Sequence, residues 1–152
     1  MNTSNDHSAD YKALSILVTA LMVGILLFSG LSIVLHFLGT VSDKLRDDSQ
    51  IVFTIIFVLS VITIIATRAI YSKRINVLKE TNQSSKEKLD IFRSITITHM
   101  ALCEFTALLS IICFIVFGNF LFFVTVFMAL AEMFLKFPTR VRTESAINSG
   151  TF

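Results

Sequence analysis

Long apolar runs separated by short polar segments dominate the pattern of this chain. The first run extends from Ala13 to Gly39 without Asp, Glu, Lys or Arg, and the second, rich in Ile, Val and Phe, covers residues 51–70. About 20 apolar residues suffice for a helix to cross the hydrocarbon core of a bilayer. Because an isolated strand in lipid would leave its backbone N–H and C=O groups unpaired, the pattern predicts helices despite the many β-branched residues.

Two more apolar runs, residues 94–117 and 120–137, are separated only by Gly118-Asn119. Gly and Asn favour turns, so a tight hairpin is predicted there, and Pro138 stops the last helix. The expected fold is therefore all-α, an integral membrane bundle of four transmembrane helices arranged as two hairpins. The predicted transmembrane domain covers residues 11–137, with spans at about 13–39, 51–70, 94–117 and 120–137.

The polar segments complete the domain description. Residues 1–10 and 138–152 are predicted to be disordered tails. Asp48 or Ser49 can cap the second helix. Between the second and third spans, Ser84 and Glu87 have the spacing of a capping box, which starts the third helix before the membrane. Helices two and three are therefore expected to extend beyond the bilayer as a short stalk.

Composition and charge place this chain in lipid and orient it. With 54% hydrophobic and only 16% charged residues, it departs from the composition of water-soluble domains. Of the 13 Lys and Arg residues, only Lys44 and Arg46 fall on one side of the predicted bundle. Since positive residues concentrate on the cytoplasmic side, both termini and the middle segment are predicted to be cytoplasmic.

Two carboxylates within the spans are the outstanding chemical feature. Glu104 lies 14 residues before Gly118 and Glu132 lies 14 residues after it, about 21 Å from the turn and near the midplane. If the two face each other, one would hold a proton. One hypothesis is a protonatable site for ion coupling or cation binding. The alternatives are a neutral, hydrogen-bonded Glu104 that helps to fix helix packing, and an ion pair between Glu132 and Lys136.

Small and polar residues form a second pattern. On the third span they recur at helical spacings of three and four, as His99, Cys103, Thr106, Ala107 and Ser110. Such stripes commonly mediate close helix packing, as does the Ala20-x-x-x-Gly24 pattern of the first span. His99 is a further candidate for the proton site. It stands about 140° around the helix from Glu104, so a relay between them needs another helix.

Other chemistry finds little support in the residues. Cys103 and Cys113 lie ten positions apart, about 15 Å on a helix, too far for a disulfide. We identify no CxxC pair, metal-ligand spacing, phosphate loop or nucleophile–base pair. A net charge of +2 is too mild to indicate nucleic acid. We therefore expect no enzyme activity, cofactor, metal site or nucleic-acid partner.

The C-terminal half resembles a known kind of protein. Its run Arg93-x8-Leu102-x-Glu104-x2-Ala107-Leu108, its Gly118-Asn119 turn and its closing Pro138-Thr139 resemble small, uncharacterised four-helix membrane proteins predicted in Bacteroidota. The match covers about 45 residues. The resemblance implies a bacterial inner membrane location and no particular activity.

The expected function follows from these patterns. The first expectation is a non-enzymatic subunit or accessory factor of a larger inner-membrane assembly, in contact with lipid and with a membrane-protein partner or another copy of itself. The alternative is a small proton-coupled transporter or channel-like oligomer that uses a buried carboxylate. A third, weaker alternative is an enzyme that acts on lipid.

Overall fold

Four α-helices make up the computed structural model, which describes residues 3–39, 49–80 and 85–139, with side chains described over 12–39, 49–77 and 87–139. The helices are α1 (Thr3–Phe37), α2 (Ser49–Glu80), α3 (Ser85–Phe117) and α4 (Phe122–Leu135). The prediction of an all-α fold with four helices is confirmed. Three of the helices are long and apolar enough to cross a membrane, over Lys12–Phe37, Ser49–Val77 and Glu87–Phe117.

The fourth helix is shorter than the sequence predicts. It covers 14 residues, about 21 Å at 1.5 Å per residue, against a hydrocarbon core of about 30 Å. The predicted span began at residue 120, but Phe120 and Leu121 belong to the turn that precedes the helix. At its other end, Lys136 follows the last helical residue, and the backbone N–H of Lys136 still donates to the carbonyl of Glu132.

The three long helices extend beyond their apolar runs. Helix α1 begins at Thr3, so residues 3–10 are helical where the sequence predicts disorder. Adding residues to an existing helix avoids the cost of nucleation, which explains this difference. Helix α2 continues to Glu80 and α3 begins at Ser85, as expected for a helical stalk. Asp48, Ser84 and residues 140–152 lie outside the described part of the chain.

Helix α3 is the centre of the bundle. It packs against α1, α2 and α4, whereas α1 and α2 have little contact with each other in the described residues. At one end Leu14 packs with Phe92, and at the other His36 contacts the ring of Phe114. Helices α1 and α3 therefore run in the same direction. The contacts show α1 joined to the bundle through α3, so a packed α1–α2 hairpin is absent from the residues described.

Helices α2 and α4 run opposite to α3. The amide of Asn119 donates to the hydroxyl of Ser49 over 3.1 Å, which joins the start of α2 to the α3–α4 turn. We call this the turn end of the bundle. At the opposite end, the Tyr71 and His99 rings lie 5.3 Å apart. We call that the basic end, because the ends of the helices there carry positively charged residues, namely Lys12, Arg74, Arg93 and Lys136.

The turn between α3 and α4 has the conformation that its sequence predicts. Gly118 has a φ of 65°, in the left-handed region that favours glycine. The side-chain carbonyl of Asn119 accepts a hydrogen bond from the backbone N–H of Leu121 at 3.0 Å. The structure therefore has a tight turn at Gly118-Asn119 between α3 and α4, which pack against each other.

The core lies between α1, α3 and α4. Its fully buried members come from all three helices and include Val18, Ile25, Met100, Ala107, Val126 and Met133. The outer faces of α1 and α2 remain uncovered and carry large apolar side chains, among them Leu27, Phe28, Ile55 and Ile65. The bundle therefore has apolar side chains both in its small core and on its outer surface.

Candidate functional site

A buried carboxylate on α4 is paired with an arginine on α2. The Nε and Nη2 atoms of Arg68 both donate to Oε2 of Glu132, the Nε–Oε2 distance being 2.8 Å. Glu132 is only 2% exposed, whereas the side chain of Arg68 is 52% exposed. The carboxylate of Glu132 therefore lies inside the bundle, and the Arg68 side chain extends to it from the partly exposed edge. A two-donor contact of this kind neutralises a carboxylate that would otherwise be costly to bury.

His99 of α3 lies on the other oxygen of the same carboxylate. Its Nε2 is 3.6 Å from Glu132 Oε1 and 4.0 Å from the sulfur of Cys103. His99 is 3% exposed. Two buried atoms, Glu132 Oε1 and His99 Nδ1, have no hydrogen-bond partner among the described residues. The group formed by Arg68, His99 and Glu132, which we call the ionic cluster, joins three helices.

An aromatic ring and a second cation border the ionic cluster. Tyr71 lies one turn after Arg68 on α2, and its ring packs against His99 at 5.3 Å between centroids. The Nζ of Lys136 stands 5.2 Å from the centroid of the Tyr71 ring, a cation–π arrangement. Lys136 is thus directed at the aromatic ring, and the ion pair of Glu132 is formed with Arg68 instead of the lysine that sequence spacing indicated.

Glu104 is separate from the ionic cluster. The structure leaves it half-buried on α3, beside Phe105, which is 64% exposed. Its carboxylate forms no hydrogen bond or ion pair with the residues that the structure describes. The described residues show no contact between Glu104 and Glu132: Glu132 is buried in the bundle, whereas Glu104 is half-buried.

The small and polar stripe of α3 faces the interior. Cys103, Ala107 and Ser110 are all buried, as is Thr106. The hydroxyl of Thr125 on α4 donates to the hydroxyl of Ser110 over 2.6 Å, which links the two helices well away from the ionic cluster. Close packing along this stripe is what the sequence pattern leads us to expect.

The small residues Ala20 and Gly24 of α1, unlike the stripe on α3, do not lie in a close helix contact. Ala20 is exposed, and a Cβ atom added to Gly24 would meet no atom within 4 Å. No helix of the described chain approaches α1 closely at this pair, so the expectation of a close contact there is not met. The reason is that α1 turns a different side, through Val18 and Ile25, towards α3 and α4.

Sequence reasoning missed Arg68. Arg68 lies near the end of the second apolar run, where a positive residue reads as part of the charge bias that indicates orientation. A signal was available: Arg68 is followed by Ala69 and Ile70 and so lies within the second span, where a cation requires a partner. What the sequence could not supply was the partner's identity, since Arg68 and Glu132 are 64 residues apart.

The ionic cluster contains a carboxylate and an imidazole, the groups of which intramembrane proton relays are built. Among the residues described, no group of three or more His, Cys, Asp or Glu side chains is placed to hold a metal ion. In comparisons with known proteins, no family model, no curated protein and no solved structure matches this chain.

Proposed function

We propose that this protein is a non-enzymatic integral membrane protein of a bacterial inner membrane that serves as a subunit or accessory factor of a larger assembly. The chain crosses the membrane four times with both termini in the cytoplasm. Three helices of sufficient length and hydropathy support this proposal, as does the concentration of Lys and Arg at the basic end.

The short helix α4 is compatible with a fourth crossing. Its neighbours Phe120, Leu121 and Phe137 are apolar, and they lengthen the apolar path beyond the 14 helical residues. A bilayer also adapts to a short span by local thinning at modest cost. Helix α4 packs against α3 and buries side chains from Phe122 to Met133, so helix packing holds it in the bundle.

The observation that carries the subunit proposal is the environment of Glu104. This carboxylate lies about 21 Å along α3 from the turn at Gly118, within a hydrocarbon core about 30 Å thick. It is half-buried at the edge of the bundle beside exposed apolar residues. Because a carboxyl group facing lipid alone is costly, intramembrane acids face a polar partner. We infer that the partner of Glu104 belongs to another membrane chain.

Co-purification tests this proposal. The tagged full chain, expressed at native level and purified in mild detergent, is expected to retain a membrane partner in stoichiometric amount, identified by mass spectrometry. Glu104→Gln keeps a hydrogen-bonding amide and should retain the partner. Glu104→Leu should lose most of it, and Phe105→Leu, an exposed apolar neighbour on the same helix, serves as the matched control. Recovery of a homo-oligomer alone contradicts the subunit proposal.

A second candidate function rests on the ionic cluster. His99 Nε2 faces Glu132 Oε1 at 3.6 Å in a buried setting, and such acid–histidine contacts occur in intramembrane proton relays. A small proton-coupled transporter or channel-like oligomer would use this contact. In that case vesicles that contain the purified protein should show a pH-dependent proton flux that Glu132→Gln abolishes. A flux unchanged by Glu132→Gln, or no flux above that of empty vesicles, rejects this candidate.

A further inference from the structure

A cavity of about 140 Å³ opens between α2 and α3 at the basic end. One part of its wall is apolar and comes from Ile70, Ile95 and Leu102. Ile70 and Leu102 are themselves partly exposed on the outside of the bundle, so this apolar wall continues onto the outer surface. An elongated apolar group could therefore lie along the outside with one end in the cavity.

The other lining residues are polar, and one of them is a cation, although most of the lining surface is apolar. They are Arg74, the hydroxyl-bearing Tyr71, Thr67 and Thr98, and His99. None of the lining residues is acidic. Arg74 is exposed and forms no ion pair with the part of the chain that the structure describes. A guanidinium with five donors in a planar fork is suited to a phosphate group.

His99 contributes a buried ring to the same wall. Its Nδ1 is buried without a hydrogen-bond partner among the described residues. When the Nε2 carries the proton towards Glu132, Nδ1 is an acceptor. Nδ1 has almost no accessible surface, so a ligand in the cavity does not reach it, and His99 borders the cavity only as part of its wall.

We propose that this cavity binds the headgroup of an anionic glycerophospholipid, with the phosphate on Arg74 and an acyl chain along Ile70 and Leu102. The apolar wall favours a lipid over a free phosphate ester, which has no acyl chain to bury there. In the orientation proposed above, the basic end lies where cytoplasmic-leaflet headgroups are found.

Phosphatidylglycerol is the probe, and native mass spectrometry of the purified full chain in neutral detergent measures how much of it stays bound. We expect phosphatidylglycerol to bind more tightly than phosphatidylcholine of the same acyl chains. Arg74→Gln should weaken phosphatidylglycerol binding about fivefold, which is what one interfacial cation contributes. Lys73→Gln is the matched control, because Lys73 is adjacent, exposed and outside the cavity wall, and it should leave binding nearly unchanged.

Three outcomes would overturn this proposal. Equal losses from Arg74→Gln and Lys73→Gln would indicate diffuse attraction to a basic surface. Equal binding of the two lipids would remove the role of headgroup charge. Displacement of phosphatidylglycerol by an equal concentration of glycerol phosphate would make a soluble phosphate ester the ligand. Melting temperatures of both variants without added lipid verify that each folds.

The lipid proposal rests on the membrane location in the proposed function and not on the existence of a protein partner. If no partner co-purifies but phosphatidylglycerol binds as expected, the subunit proposal fails and the lipid site stands. If the partner is found and neither lipid is preferred, the lipid proposal fails and the subunit proposal stands. Absence of the protein from floated membrane vesicles would reject both.

Discussion

Two carboxylates on neighbouring helices, Glu132 and Glu104, have very different surroundings. Glu132 on α4 is buried, bonded to Arg68 on α2 and faced by His99 on α3. Glu104 on α3 is half-buried at the bundle edge, with no bonding partner in the described residues. Both stand 14 residues from Gly118. Equal distance from the turn therefore does not give equal surroundings, which depend on the helix face and on the neighbouring helices.

The two carboxylates are therefore expected to contribute differently to the stability of the bundle. Glu132 binds the bundle together, since its partners belong to two other helices. A buried ion pair adds little stability relative to an apolar replacement, but loss of one member leaves an isolated charge in a low-dielectric setting. Glu104 has no such internal partners, so its removal should leave the bundle intact and affect only what contacts it from outside.

The largest expected effect comes from removing the cation of the ionic cluster. Arg68→Gln should lower the free energy of unfolding by about 3 kcal/mol, because Glu132 then lacks its charged partner. The measurement is the unfolding equilibrium of the purified protein in detergent. Adding Glu132→Gln to this variant should recover most of the loss, since two neutral amides leave no isolated charge. A double variant as unstable as Arg68→Gln alone contradicts the assignment.

An intermediate effect is expected at the neutral contact between α3 and α4. Thr125→Val keeps the shape of the side chain but removes the hydroxyl that donates to Ser110. Interhelical hydrogen bonds in membranes contribute about 1 kcal/mol, so the same unfolding measurement should show a loss of that size. The value serves as a reference for the ionic cluster. If Thr125→Val lowers the free energy of unfolding as much as Arg68→Gln does, the charge of the ionic cluster is not what makes its contribution larger.

The smallest effect is expected at Glu104. Glu104→Gln should change the free energy of unfolding by less than about 0.5 kcal/mol, because the residue forms no hydrogen bond or ion pair within the described chain. Glu132→Gln, the same chemical change at the paired position, is the matched comparison. A loss at Glu104 as large as that at Glu132 would mean that Glu104 also holds the bundle together.

Part of the candidate site could be predicted from sequence and part could not. His99 and the stripe through Ser110 share one helix, so helical spacing alone placed them on one face. Glu132 was identifiable because an acid inside an apolar run is chemically exceptional. The partner of Glu132 was not identifiable. The nearest cation in sequence, Lys136, contacts the ring of Tyr71 instead, and Arg68 belongs to a separate helix.

The sequence by itself determined the local features of this protein. Apolar runs gave the number and approximate position of the helices, because backbone groups in apolar surroundings must bond within their own segment. Gly118 and Asn119 gave the turn, since a left-handed backbone position favours glycine. These outcomes depend only on residues close together in the chain.

The tertiary structure decided which faces meet. It placed α3 at the centre, joined α1 to the bundle through α3, turned Ala20 and Gly24 away from close contacts and separated Glu104 from Glu132. The physical reason is that an almost uniformly apolar helix offers many faces of similar hydrophobicity. The rotation of each helix is then set by a few polar pairs and by side-chain fit, which depend on residues far apart in sequence.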